Sequence, residues 1–416
     1  MKIRIKRISW SAYFTIGMII SIIVSLLGIQ HYYVYMLLTI AVYYLALNTG
    51  KKINIAVNKV AHLQKLTLVF AFLVVSRILV CYSLAAAISN IGIILMYYLE
   101  IITSYVAFKR YKTKDTIFEL PLTILLFTAI FGIFTYILGY NPLKAYFDNV
   151  ASDISRISSV YVHPIPCAVF FGICLWMIAF YAKGAVFKTA LILLTSYAIY
   201  LTGSRSTWVS IGVILLLLAV HKMLHPKYKI PKKRMFTIIS AVAFLIILAA
   251  CMHSQIAEIW DGIYHRLFAK SYSEDMSYTW RFMAAGTMIS QLSPFSLRTY
   301  LGHGYNAAAN YMRDMINIGG RFSYNVSTVD NGYVSILYDF GVIGFVIYCI
   351  PLVQSIIGIF KDSDKNECCI DCIILTIMLS SLFFEAAYWA SISFVLMSLI
   401  GFKMYYIENG RRADAK

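Results

Sequence analysis

Long apolar runs alternate along this chain with short polar segments that carry most of the lysines and arginines. A run of roughly 20 apolar residues can cross the hydrocarbon core of a bilayer as a helix. Water is absent from that core, so a single spanning segment must satisfy its backbone groups within itself, as a helix does. The pattern predicts about 12 membrane-spanning helices, near residues 10–28, 31–48, 66–88, 90–108, 117–139, 164–182, 185–202, 206–224, 235–252, 330–360, 369–386 and 388–406.

The composition agrees with this pattern. Hydrophobic residues make up 60% of the 416 residues and charged residues only 13%, which is low for a soluble domain. The formal net charge is +17, but the charges alternate with apolar runs instead of gathering on one polar domain, which argues against nucleic acid as a partner. We therefore predict an all-α polytopic integral membrane protein. The first apolar run lacks a small-residue cleavage site, so we expect no cleavable signal peptide.

The eight cysteines lie mostly in apolar runs. Three of them, Cys368, Cys369 and Cys372, cluster in or near a predicted cytoplasmic loop. Their spacing fits neither a disulfide framework nor a zinc site. We expect them to be small buried hydrophobic side chains.

The distribution of basic residues predicts the orientation. If the N-terminus lies inside, 26 of the 36 lysines and arginines fall on the cytoplasmic side, so we expect both termini there. One outer loop, 252–329, is much longer than the others, and its many aromatic residues argue against disorder. We expect short helices lying on the membrane in this loop. The predicted organisation is helices 1–9 over 1–251, the large loop between helices 9 and 10 over 252–329, and helices 10–12 with a cytoplasmic C-terminus over 330–416.

Arginine predominates among the basic residues that this topology places outside. Its planar fork donates two parallel hydrogen bonds to a phosphate, so the outer face suits a phosphorylated ligand. The turn TGSRSTW places Arg205 at the start of a helix, where backbone N–H groups and the helix dipole favour an anion. Ser204 or Ser206 can cap that helix. The alternative is an arginine that only reaches along the lipid to the interface.

The stretch RISSVYVHPIPCAVF is the outer approach to another predicted span. Arg156 precedes a His-Pro entry into the helix, where proline is tolerated. His163 is a candidate base or hydrogen-bond donor, or else a satisfied interfacial histidine. The large loop adds Arg281 and His303. His303 lies between two glycines, which allow close approach of the backbone to a ligand, and both a functional and a structural role stay open for it.

The stretch VDNGYVSILYDFGVIGF places a carboxylate and an amide at the mouth of a predicted span. Aspartate and asparagine are preferred helix caps, which explains one of the two residues. The functional alternative makes Asp330 a general base that takes a proton from a hydroxyl group, with Asn331 orienting it. A carboxylate near the low-dielectric interface suits such work. Asp339 lies about nine residues deeper, beside two glycines that permit close helix packing.

Arg77 and Glu100 are predicted to lie within two adjacent antiparallel spans. Charges inside a membrane are expensive, so they usually pair or face a cavity. We expect a structural ion pair between them, and a proton or ion pathway is the alternative.

Taken together, these stretches resemble the O-antigen ligase and polymerase superfamily, and most of all a Wzy-type polymerase. The shared order is an arginine and a His-Pro segment before a middle span, a T-G-S-R-S turn two spans later, an arginine in the large outer loop, a G-x-G element, and an Asp-Asn-x-Tyr entry into a span that carries Gly-Val-Ile-Gly. In this chain the elements are Arg156, His163, Pro164, Thr202–Ser206, Arg281, Gly302, Gly304, Asp330, Asn331, Tyr333 and Gly341–Gly344.

The resemblance implies glycosyl transfer at the outer, periplasmic face of a bacterial inner membrane. A glycan on undecaprenyl pyrophosphate would move to an acceptor hydroxyl with release of the lipid pyrophosphate, and no metal or other cofactor is implied. The implied base is Asp330, with His303 as the alternative. The implied substrate-binding residues are Arg156, His163, Ser204, Arg205, Arg281, Asn331 and Tyr333.

Ligases of this superfamily usually carry histidine where this chain has Asp330. The difference favours a polymerase, whose acceptor is another lipid-linked repeat unit, over a ligase that attaches finished glycan to lipid A core or protein. A transporter or flippase of lipid-linked sugars is a third hypothesis, but the sequence has no visible half-repeat of the kind many transporters show. The implied partners are the lipid-linked donor and acceptor, the bilayer, a chain-length regulator and a separate flippase.

Overall fold

The computed structural model describes residues 10–28, 61–81, 83–110, 118–148, 150, 156–224, 276–319, 329–361 and 364–414. Within these ranges there are 13 α-helices, two 3-10 helices and no strand. Seven of the described helices are long and apolar enough to cross a membrane. The α-helices are α1 Trp10–Leu26, α2 Ala61–Val80, α3 Leu84–Arg110, α4 Glu119–Leu138, α5 Pro164–Tyr181, α6 Ala185–Thr202, α7 Arg205–Leu224, α8 Met276–Ser290, α9 Leu297–Leu301, α10 Ala307–Gly319, α11 Gly332–Ile359, α12 Lys365–Ser380 and α13 Ala390–Asp414.

This architecture confirms the prediction of an all-α polytopic membrane protein. The predicted spans near 31–48 and 235–252 lie outside the described residues. Most other predicted spans match a helix to within a few residues, as the two that flank the TGSRS turn do. Those helices are regular because their apolar runs contain few residues that compete for backbone hydrogen bonds.

Helix α12 lies at the centre of the bundle and packs against α5, α7, α11 and α13. Every residue from Cys369 to Met378 is buried. A helix that is apolar on nearly all sides must be surrounded by other helices or by lipid. Two hydroxyl contacts fix its neighbours: Trp176 on α5 donates to Thr376 at 2.8 Å, and the hydroxyl oxygens of Ser210 on α7 and Ser380 lie 3.1 Å apart.

Three predicted span boundaries, at residues 88, 90 and 386, were wrong. The predicted break between 66–88 and 90–108 lies earlier, at the turn between α2 and α3, where Ser83 accepts a hydrogen bond from the backbone N–H of Ala86 at 3.2 Å. The predicted span 369–386 is α12, which ends at Ser380 and is followed by a turn and a 3-10 helix, Ala386–Tyr388. In both places apolar residues continue through the turn, so hydropathy does not mark the end of the helix.

The expected ion pair between Arg77 and Glu100 was also wrong. Counted from the short turn that joins α2 and α3, Arg77 lies near the end of α2, whereas Glu100 lies well into α3. At a rise of 1.5 Å per residue the two differ in depth by about 20 Å. The Arg77 guanidinium instead donates to the backbone carbonyl of Asp339 at 2.9 Å and to that of Leu301.

The region predicted as the large outer loop contributes the three shorter helices α8, α9 and α10. All three pack against α11, and α9 also contacts α2. Their buried apolar side chains form a small cluster with α11, made of Ala284, Met288, Ala308, Met312, Val329 and Tyr338. The loop helices therefore rest on the first part of α11 and position it.

Candidate active site

Helix α11 is broken at Gly341, whose φ of 71° and ψ of −176° are not helical. The segment Tyr300–Gly304 crosses α11 at this break. A Cβ atom on Gly341 would lie 2.4 Å from the carbonyl oxygen of Tyr300, and one on Gly302 would lie 2.2 Å from that of Asp339. Both glycines have positive φ, so any side chain there would be strained as well as blocked. The G-x-G element and the glycines of α11 therefore form one structural unit, which we call the α11 break.

The carbonyl groups freed at the α11 break are bonded by the crossing segment. The carbonyl of Tyr338 accepts from the backbone N–H and from Nδ1 of His303, both at 3.0 Å. The carbonyl of Asp339 accepts from the N–H of Gly304 and from Arg77, both at 2.9 Å. These bonds replace the intrahelical ones that the break removes, and they commit Arg77 to a structural role.

His303 is held in one orientation. Its ring stacks on that of Tyr338, with centroids 4.1 Å apart and an interplanar angle of 7°. A carbonyl only accepts, so the bond to Tyr338 places a proton on Nδ1 and leaves Nε2 as the acceptor nitrogen of the neutral ring. Burial lowers the pKa of His303, so the neutral form dominates at pH 7. The ring has the protonation state of a base, but it lies beside Tyr338, about 12 Å along α11 from Asp330.

Asp339 is fully buried and its carboxylate is saturated. It accepts from the backbone N–H groups of Asn306 at 2.5 Å and Ala308 at 2.8 Å, and from the hydroxyl of Tyr388 at 2.6 Å. The two N–H groups belong to the start of α10, so Asp339 caps that helix from another element. The second carboxylate of the motif is therefore a structural anchor.

Asn331 caps α11. Its side-chain oxygen accepts from the backbone N–H groups of Tyr333 and Val334, both at 3.1 Å. Tyr333 points into the bundle, where its hydroxyl donates to the carbonyl of Met378 at 3.0 Å. Asp330 precedes the cap, is half-buried and has a φ of 52°, in the left-handed region that few residues other than glycine adopt. Of the three motif residues, Asn331 thus caps the helix and Tyr333 packs into the bundle.

The turn between α12 and α13, residues 381–389, contacts residues 329–332, which we call the Asp330 turn, and holds Asp330 in place. The N–H of Gly332 donates to the carbonyl of Ser381 at 2.8 Å. A Cβ on Gly332 would lie only 3.0 Å from the carbonyl oxygen of Phe384, so the two segments touch through their backbones. One oxygen of Glu385 accepts from the N–H of Val329 at 3.2 Å and from the hydroxyl of Ser335 at 2.5 Å.

Sequence reasoning missed Glu385. The side chain is 8% exposed, and burial raises the pKa of its carboxyl to about 7, with a further contribution from the negative charge of Asp330. The sequence feature that could have indicated it is the single carboxylate in the apolar stretch LFFEAAYW. An ionisable residue in such a run marks a candidate site by the same rule that singled out Arg77 and Glu100.

His163 caps α5 and lies against the turn 381–389. Its Nδ1 accepts from the backbone N–H of Ile165 at 3.3 Å, so the neutral ring carries its proton on Nε2. The His163 ring lies 6.0 Å from that of Trp389, which packs on Phe384 at 5.5 Å. His163 is therefore arranged as a hydrogen-bond donor near the Asp330 turn.

The predicted residues Arg156, Ser204 and Arg205 meet at the turn between α6 and α7. Arg156 donates from Nε to the carbonyl of Thr202, the last residue of α6, at 2.7 Å. Arg205 is the first residue of α7 and its side chain is exposed. Ser204 is buried, with its hydroxyl oxygen 3.0 Å from that of Ser206. Two arginines are thus brought to one helix N-terminus, where the dipole also favours an anion.

The two turns are joined through the end of α12. Ser380 contacts Ser210 on α7, and the next residue, Ser381, bonds to the Asp330 turn. Arg281 lies on α8, which packs on the first part of α11, but its side chain lies outside the described residues. Among the described residues, no group of three histidine, cysteine, aspartate or glutamate side chains could hold a metal ion.

One family model matches the chain. Residues 190–349 match the O-antigen ligase family, a segment that covers less than half of the chain but includes the TGSRS turn, the α11 break and the Asp330 turn. No curated protein matches the chain. The match agrees with the resemblance carried by the motifs. This region of the chain is therefore similar to the O-antigen ligase and polymerase superfamily, whose members are glycosyl-transferring enzymes.

Proposed function

We propose that the protein polymerises lipid-linked oligosaccharide repeat units at the periplasmic face of a bacterial inner membrane. The donor is a glycan on undecaprenyl pyrophosphate, and the acceptor is a hydroxyl of another lipid-linked repeat unit. The acceptor oxygen forms a bond to the anomeric carbon of the donor, and the bond from that carbon to the pyrophosphate breaks. The bonding electrons leave with the pyrophosphate, and the proton of the hydroxyl passes to the enzyme.

The observation that carries the proposal is the arrangement at Asp330. Asn331 performs the capping that would otherwise explain an acidic residue at this position. Asp330 has a positive φ, a backbone conformation that costs on the order of 1 kcal/mol or more and clusters at functional sites. Surrounding bonds to Gly332 and Val329 hold that turn. We assign Asp330 as the general base that takes the acceptor proton.

The arginines at the turn between α6 and α7 are proposed to bind the pyrophosphate of the donor. The leaving pyrophosphate gains negative charge in the transition state, and positioned donors that meet this charge lower the barrier. Arg156 and Arg205 lie at one helix N-terminus and supply this grip, with Arg281 on α8 as a third arginine. His163 can donate from Nε2 to an oxygen of the substrate.

The matched family carries the description of a ligase, so ligation is the second candidate. Aspartate at position 330, where ligases usually have histidine, favours the polymerase. Transport of lipid-linked sugars has less support, although α11 is a broken helix of the kind transporters use at ion sites. In this chain, bonds from His303, Gly304 and Arg77 occupy the carbonyls of Tyr338 and Asp339 at the break.

Deletion of the gene in the native host, followed by gel analysis of surface polysaccharide, tests the proposal. A polymerase defect leaves a single repeat unit on the acceptor. Long glycan accumulating on the polyprenyl pyrophosphate would identify a ligase, and single lipid-linked units retained inside would identify a flippase. The chain-length regulator and the flippase that accompany such a polymerase are expected to be separate proteins.

Complementation then tests the assigned base. Asp330→Asn should fail to restore long chains, while wild type should restore them. Asp314→Asn is the matched control, because Asp314 is an exposed carboxylate on α10 in the same outer region. A normal ladder from Asp330→Asn at normal protein level would remove Asp330 as the base and move the assignment to His303.

A further inference from the structure

Glu385 is a buried carboxylate beside the proposed base, and the reaction as described does not use it. It lies in the turn between α12 and α13, outside the segment that matches the family model. Its two hydrogen bonds bracket Asp330: Val329 directly precedes Asp330, and Ser335 lies on the first turn of the helix that follows. The side chain of Glu385 is thus hydrogen-bonded to residues on both sides of Asp330.

We propose that Glu385 is a positioning residue for Asp330, which fixes the turn that carries the base and favours proton transfer to it when Glu385 is ionised. This inference rests on the proposed function. The positioning part follows from geometry, because the positive φ of Asp330 persists only if its neighbours determine it. Glu385, Asn331 and the carbonyl of Ser381 are among the groups that do so.

The electrostatic part follows from the reciprocity of charge interactions. The negative charge of Asp330 disfavours ionisation of Glu385. An ionised Glu385 in turn attracts the proton that moves from the acceptor hydroxyl to Asp330 in the transition state. The titratable and charged groups around Glu385 are Asp330 on the preceding turn, Asp339 on α11 and Tyr388 on its own turn, with His163 on α5 and Arg77 on α2 beyond them.

The rate of the reaction should depend on the ionisation of Glu385. Burial raises the pKa of Glu385 to about 7, so the side chain is neutral below this pH and ionised above it. The rate of proton transfer, and with it kcat, should therefore rise with pH through an inflection near pH 7, where Glu385 becomes ionised. KM should change little, because Glu385 is buried.

The test uses the purified full-length protein in proteoliposomes. The probe is the polyprenyl-pyrophosphate-linked oligosaccharide extracted from membranes of the deletion strain, and the readout is kcat and KM for its elongation from pH 5.5 to 8.5. Glu385→Gln keeps an oxygen that can accept from Val329 and Ser335 but removes the charge. We expect a loss in kcat on the order of tenfold to hundredfold, unchanged KM and no inflection near pH 7. Glu367→Gln, on the opposite end of α12, is the matched control and should keep the wild-type profile.

Ser335→Ala gives a second measurement that does not depend on the stability of the first variant. The Ser335 hydroxyl lowers the pKa of Glu385, so its removal should move the inflection to higher pH. A purely structural Glu385 would leave the inflection where it is. The inference is overturned if the wild type elongates the probe without an inflection, if Glu385→Gln keeps it, or if Ser335→Ala leaves it in place. Failure of the wild type to elongate the probe would instead overturn the proposed function, and this inference with it.

Discussion

Asp330 lies just before α11 and Asp339 lies within it, and the two aspartates differ in burial and in backbone conformation. Asp339 is fully buried, and three donors from α10 and the turn before α13 surround its carboxylate. Asp330 is half-buried on a strained turn, and Asn331 takes over the capping of the helix. The difference indicates that Asp339 is a structural carboxylate, whereas under the proposed function Asp330 is the carboxylate that takes part in the reaction.

Asp339→Ala should have the largest effect and should act on stability. The substitution leaves the buried N–H of Ala308, the half-buried N–H of Asn306 and the hydroxyl of Tyr388 without their acceptor. Each buried donor left unsatisfied costs about 1–3 kcal/mol, so we expect a loss of at least about 3 kcal/mol and little protein in the membrane. Thermal unfolding in detergent and membrane protein level are the measurements. Asp314→Ala, on an exposed site of α10, should leave both unchanged. An Asp339→Ala protein with the wild-type melting temperature would contradict the assigned anchor role.

Asp330→Asn should show the opposite behaviour. The side chain keeps its size, and Asn331 still caps α11, so the melting temperature should stay close to that of the wild type. Loss of a general base typically lowers the rate by about 10²–10⁴-fold. The turnover of the lipid-linked oligosaccharide by purified protein measures this effect. If Asp330→Asn instead destabilised the protein as much as Asp339→Ala, the distinction between the two aspartates would fail.

Gly341→Ala should have an intermediate effect and tests whether the α11 break matters. The added methyl group would meet the backbone of Tyr300 at 2.4 Å and would force alanine into a positive φ. We expect a loss on the order of 1–3 kcal/mol and a looser crossing segment around His303. Gly286→Ala on α8 is the control, since nothing lies within 4 Å of its Cβ position and its substitution should be neutral or slightly stabilising. Equal melting temperatures for the two variants would show that the break tolerates a side chain.

Much of this arrangement could be predicted from the sequence, and what could not has physical reasons. The span that contains Asp330 followed from hydropathy, and the capping preference of Asp and Asn predicted that one of the pair begins the helix. Which of the two caps it depends on the φ of Asp330, which bonds from distant segments impose. Arg77 was paired with the wrong partner because its depth depends on an apolar turn that hydropathy does not reveal.

The role of Glu385 could not be predicted from the sequence either. The residue is 50 positions away from Ser335 along the chain, and only the packing of α11 against α12 brings the two together. Its motif, a single carboxylate in an apolar stretch, has no spacing that a local pattern could detect. Roles that depend on contacts between distant segments therefore needed the structure, whereas the presence of a helix start near Asp330 did not.

Asn331→Ala should have the smallest effect and sharpens the comparison most. Loss of an N-cap typically costs about 1 kcal/mol, because the N–H groups of Tyr333 and Val334 lose their acceptor. Asp330 is the neighbouring residue that can compensate, and if its carboxylate turned to cap the helix, stability would recover while turnover fell. We expect a modest fall in melting temperature together with a larger fall in turnover. Asn331→Ser retains a capping oxygen and should restore both. If Asn331→Ala lowered stability but left turnover unchanged, capping by Asn331 would not support the proposed role of Asp330, and the proposed division of roles between the two aspartates would fail.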